Sequence, residues 1–140
     1  MMPSGRKAPI IIIGAGRSGT NVLRDCLTAA NGLVTWPCDE INLIWRHGNL
    51  RHPTDVFGAA QANASVRHYI QSAFDQICRK EGGDTVVEKT CANTLRVPFI
   101  DAIFPDARYI NIVRDGRDVT ASAMKRWRSS VDWPYMKRIA

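Results

Sequence analysis

The chain has 140 residues, 45% of them hydrophobic, with 19 Lys and Arg against 13 Asp and Glu, for a formal net charge of +6. This length supports a single domain with a core of its own. The basic balance raises nucleic acid as a partner, but no stretch interleaves aromatic with basic residues as single-strand binders do, so no nucleic-acid partner is expected.

The first apolar run, Ile10 to Ile13, follows Arg6 and Lys7 and is too short for a signal sequence or a membrane span. A cytoplasmic protein without a membrane partner is therefore expected. The run reads as a buried strand that passes through Gly14-Ala15-Gly16-Arg17-Ser18-Gly19-Thr20 into a helix, a construction that builds a phosphate cradle. Backbone N–H groups at Gly14, Gly16 and Gly19, together with the positive end of the helix, would supply the binding. Gly14 and Gly19 have the spacing of a nucleoside-triphosphatase loop, yet Thr20 follows Gly19 directly and Arg17 is the only cation inside the turn. The cradle thus suits phosphate without the lysine that ATP hydrolysis uses.

Further strands are expected over 33–36, 85–87 and 109–113, short β-branched runs suited to a sheet covered on both faces. Between them lie helical stripes: Val22, Leu23, Cys26, Leu27 and Ala30; then Val66, Ile70, Ala73, Phe74 and Ile77; then Leu95, Phe99, Ile100, Ile103 and Phe104. A last helix has Val119, Ala123 and Trp127 on one face and ends in the solvated cluster Lys125-Arg126-Trp127-Arg128. Asn31-Gly32 and Gly82-Gly83-Asp84 punctuate the first two helices. Asn63 or Ser65 can cap the second and Asn93 or Thr94 the third, with Pro98 in its first turn. Residues 40–61, rich in His, Asn, Pro and Gly, read as a loop-dominated flap. The alternation implies parallel strands joined by right-handed crossovers, a three-layer α/β/α sandwich.

Four cysteines show no metal-ligand spacing, and no metal is expected. Cys26 and Cys78 read as core thiols, and Cys38 and Cys91 as loop thiols near the site whose bridging a reducing compartment disfavours.

A second segment, 86–127, carries Val-Val-Glu-Lys-Thr and then Phe-Pro-Asp-Ala-Arg-Tyr-Ile-Asn-Ile-Val-Arg-Asp-Gly-Arg-Asp-Val, with Ser122 beyond. With the glycine turn in the same order, the chain resembles the sulfotransferases that use 3'-phosphoadenosine-5'-phosphosulfate (PAPS), from about Ile10 to Trp127. The resemblance implies a P-loop nucleoside-kinase-like sheet of order 2-3-1-4. It also implies a cofactor site in which Gly16, Arg17, Ser18, Gly19, Thr20 and Asn21 hold the 5'-phosphosulfate while Arg114 and Ser122 hold the 3'-phosphate, with 3',5'-adenosine bisphosphate as product. Arg117 and Asp118 read as local helix-capping or pairing residues. Arg17 and Lys89 are the candidates for stabilising charge on the leaving phosphate.

For the base, the branch acting on small phenols and steroids has a histidine two residues after the lysine, where this chain has Cys91. The glycan and tyrosyl branches use a glutamate after the second strand, where Glu40 stands. Asp39 is the runner-up, followed by His47 and His52. The reading is sulfuryl transfer to a hydroxyl of a small-molecule or glycan acceptor; the alternatives are a P-loop kinase-like phosphotransferase or a non-catalytic nucleotide-binding fragment. Since members of this family extend further, the stretch from Pro134 to Ala140, without an evident final strand, reads as the end of an N-terminal portion.

Overall fold

A computed structural model describes residues 5–130; the segment from Pro134 to Ala140 lies outside the described residues. Four parallel strands, β1 (Ile10–Ile13), β2 (Leu33–Val34), β3 (Thr85–Lys89) and β4 (Arg108–Asn111), form one sheet in the order β2-β3-β1-β4. Ile12 is level with Lys89 on one side and with Ile110 on the other. The α/β class, the parallel sheet and the strand order all match the expectation. Pairing departs from it only at strand ends. β2 has one neighbour and pairs only through Leu33 and Val34, so Thr35 and Trp36 leave the ladder, while β3, paired on both sides, extends to Lys89.

Alternation along β3 sorts its side chains between two layers. Val86 joins the main core, which also takes in Ile11, Val34 and residues of the helices α3 (Ala64–Glu81) and α4 (Val97–Ile103). Helix α1 (Thr20–Thr28) packs on β3, β1 and β2 through its half-buried Leu23 and Leu27. Its expected stripe is only partly used, because Val22 and Cys26 face outward; Cys26 is an exposed thiol, not a core one. Those two residues lie one helical step from Leu23 and Leu27, about 100° around the axis. Cys78, by contrast, is buried in α3.

Helix α3 starts on Asn63, whose side chain accepts from the Val66 N–H, and stops at Gly82 in the left-handed conformation. Helix α4 carries Pro98 in its first turn but has no side-chain cap. The expected caps are engaged elsewhere, Thr94 with Gly14 and Asn93 with Glu88 and Arg96. Helix α5 (Gly116–Arg128) is capped by Asp115, which also pairs with Arg117. No residue of α5 is buried, and Trp127, expected on its apolar face, is 82% exposed. Leu95 likewise lies outside the core.

Residues 40–61 are not a flap. They contain the short helix α2 (Asn42–Trp45) and place Ile41, Trp45 and Phe57 in the core. The Trp45 ring meets Phe74 edge-on at 5.5 Å, and Phe99 and Phe104 at 6.4 Å each. Arg46 ties the following turn together by donating to the carbonyls of His52 and Thr54 and to the Asp55 carboxylate. Buried aromatic rings in a polar segment account for the difference: they bury enough surface to order a chain that lacks a regular period.

Candidate active site

The sheet order brings three chain segments to the carboxyl edge around β1, where open α/β sheets bind ligands. The turn after β1 enters α1 with Arg17 at φ 68° and Gly19 at φ 95°. Helix α1 begins at Thr20, which is buried, and its first-turn N–H groups are the kind that bind anions. One expected donor is withdrawn: the Gly14 N–H donates to Thr94 Oγ1 at 3.0 Å, so the Gly14 amide anchors the turn and does not face a ligand.

A cavity of about 370 Å³ lies over this turn. Gly16, Arg17, Gly19, Thr20, Asn21, Glu40, Lys89, Arg114 and Ser122 line it, together with Val22, Asp39 and Cys91. Of the residues expected to hold the cofactor, all line it except Ser18, which is buried inside the turn. Arg114 and Ser122 meet through Arg17: Arg114 donates to the Arg17 carbonyl at 3.0 Å, and Arg17 Nε donates to Ser122 Oγ at 3.1 Å. Arg114 lies three residues beyond the end of β4, in the connection to α5, and not at the strand's last position. Neither His47, stacked on Tyr69 at 3.5 Å, nor His52, edge-on to Phe57 at 5.1 Å, lines the cavity.

Lys89 is the buried cation of the site, 3% exposed. Its Nζ lies 3.1 Å from Asp39 Oδ1 and 3.0 Å from Glu40 Oε1, so the two carboxylates in the loop after β2 hold the lysine that ends β3. Glu40 Oε1 also accepts the Cys91 N–H at 3.1 Å. Asp39 is held in turn by the Asn21 amide at 2.8 Å and by Arg24, which donates to the Asp39 carbonyl at 3.0 Å. Burial, and then the bond to Glu40, push the Cys91 thiol up to about 11, which makes it a poor nucleophile at neutral pH.

Sequence reasoning did not find Arg24, Glu88 or Thr90 as part of this assembly. Glu88 carried a signal: it shares its strand face with Val86, so a carboxylate points into the apolar layer. Arg24 carried none, because a cation in a helix reads as a surface residue until the loop after β2 is seen folded against it.

Among the described residues no helix is long and apolar enough to cross a membrane. Residues 9–139 match the model of the sulfotransferase family. No curated protein matches the chain.

Proposed function

The chain belongs to the sulfotransferase family, and from that premise we propose that it moves a sulfuryl group from PAPS to an acceptor hydroxyl, with a carbohydrate as the acceptor class. The observation that carries this reading is the convergence in one cavity of the glycine turn, Lys89, the Arg114–Arg17–Ser122 chain and the paired carboxylates Asp39 and Glu40. A nucleotide with phosphates at both ends calls for cations at both ends, and Lys89, Arg17 and Arg114 in one cavity support that reading.

In this reading the turn from Gly16 to Asn21 holds the 5' end, and Arg114 with Ser122 holds the 3'-phosphate. PAPS supplies the activated sulfuryl group. Lys89 and Arg17 compensate the negative charge that builds on the leaving phosphate, an electrostatic role suited to fixed, partly desolvated cations. Glu40, positioned by Lys89 and the Cys91 N–H, takes the proton from the acceptor hydroxyl at its carboxylate. Asp39 keeps Lys89 and the start of α1 in register through Asn21.

Calorimetric titration tests the donor assignment. The protein should bind 3',5'-adenosine bisphosphate much more tightly than adenosine 5'-monophosphate, and Arg114→Ala should remove most of the difference, since a charge-assisted bond to phosphate contributes about 1.5 to 3 kcal/mol. Equal affinity of the unaltered protein for the two nucleotides defeats the reading.

A further inference from the structure

Directly beneath the cavity lies a chain of buried polar groups that sulfuryl transfer does not itself use. Glu88 is 2% exposed on the apolar face of β3, and Thr90, Asn93 and Arg96 around it are each 0% exposed. An isolated carboxylate is not tolerated in such a place, so its oxygens must be met by donors. Thr90 Oγ1 donates to Glu88 Oε1 at 2.5 Å, and Asn93 Nδ2 donates to Glu88 Oε2 at 2.6 Å. Asn93 Oδ1 then accepts from Arg96 Nε at 2.8 Å, and Arg96 donates again to Asn42 Oδ1 at 2.6 Å.

The other arm runs to the site. Thr90 Oγ1 accepts the backbone N–H of Ile41 at 3.2 Å. The one Thr90 hydroxyl therefore links the Ile41 backbone to the Glu88 carboxyl group. The contacts run without a break from Ile41 through Thr90 and Glu88 to Asn93 and Arg96. Ile41 is the residue after Glu40, whose carboxylate meets both Lys89 and the Cys91 N–H.

We propose that Glu88 is a positioning residue: through the Thr90 hydroxyl it fixes the backbone at Ile41, and so holds the Glu40 carboxylate between Lys89 and Cys91. Its consequence for turnover rests on the sulfotransferase reading; its consequence for the geometry of Glu40 does not. Serving only to balance the buried Arg96 would require the Asn93 arm alone. The Thr90 arm is what reaches the site, and the two arms can be cut separately.

Thr90→Val cuts the site arm while leaving Glu88, Asn93 and Arg96 in place, and Thr90→Ser restores the hydroxyl. The readout is the rate of Cys91 alkylation by iodoacetamide at pH 8, followed by peptide-resolved mass spectrometry, because Glu40 helps hold that thiol in its unreactive form. Thr90→Val should raise the Cys91 rate about three- to tenfold, Thr90→Ser should leave it at the wild-type value, and affinity for 3',5'-adenosine bisphosphate should stay within about threefold in both, because the phosphate turn is untouched. In a chain that turns over, Thr90→Val should lower kcat by up to about a hundredfold, the scale set by misplacing a catalytic group.

An unchanged Cys91 rate in a folded Thr90→Val protein overturns the proposal. If Thr90→Val does not fold, Thr90→Ala carries the same expectation and the same refutation. If the wild-type protein does not prefer the bisphosphate, the sulfotransferase reading fails, while the Cys91 comparison still decides the positioning of Glu40.

Discussion

Glu88→Gln should remove a pH dependence of folding stability that the wild-type protein shows between pH 5 and 8. Burial pushes Glu88 from its ordinary value of 4.5 up to about 7, against the opposing effects of the Thr90 hydrogen bond and of Arg96 and Lys89. Asp55, Arg46 and Glu40, which act on Arg96, are further charged groups about the network. The indole N–H of Trp45 leans toward the same carboxylate without reaching hydrogen-bond geometry. Because the folded acid range is raised, the folded protein keeps a proton that the unfolded chain has already released. The stabilisation is complete below the unfolded value and is lost as pH rises through about 7. A shift from 4.5 to about 7, at about 1.4 kcal/mol per pH unit, amounts to roughly 3 kcal/mol, most of which falls between pH 5 and 8.

Urea unfolding of the wild-type and Glu88→Gln proteins at pH 5, 6, 7 and 8 measures this directly. Their difference isolates Glu88, since every other titrating group is common to both. Asp55, Asp84 and Asp115 are held below the ordinary carboxylate range by Arg46, Lys7 and Arg117 respectively. Their contribution has the opposite sign and is lost only as pH falls below this window. Relative to the variant, the wild-type protein should lose about 2 to 3 kcal/mol on going from pH 5 to 8. A difference that stays constant across the four pH values refutes the reasoning.

Two other substitutions probe the site itself. Glu40→Gln should keep affinity for 3',5'-adenosine bisphosphate and lower turnover roughly a hundredfold to ten-thousandfold, the usual contribution of a general base; near-normal turnover, with Asp39→Asn inactive, would transfer the role to Asp39. Gly14→Ala should cost about 2 kcal/mol or more in urea unfolding, because a Cβ there would stand 2.8 Å from the Ile112 carbonyl oxygen at φ +155°; an unchanged midpoint would show that the turn yields without strain.

The strands, most helix ends and the two phosphate-type motifs could be read from the residues alone, because these depend on local features: apolar period, glycine and proline chemistry, and spacing within a single turn. The Arg17 to Thr20 loop was legible for that reason, whereas the Arg114 and Ser122 pair was implied only by the resemblance to the sulfotransferases. The segment after β2 was not. The polar composition of residues 40–61 suggested a flap, and only packing of Trp45 and Phe57 against α3 and α4 makes it part of the core. That packing sets Asp39 and Glu40 against Lys89, 50 and 49 residues away along the chain. The same holds for Glu88, Thr90 and Ile41, whose roles depend on hydrogen bonds between β3 and the loop after β2. Short-range pattern fixes which way a side chain leaves its strand. Which group it meets depends on how distant segments share one buried volume, and that is settled only when the chain closes on itself.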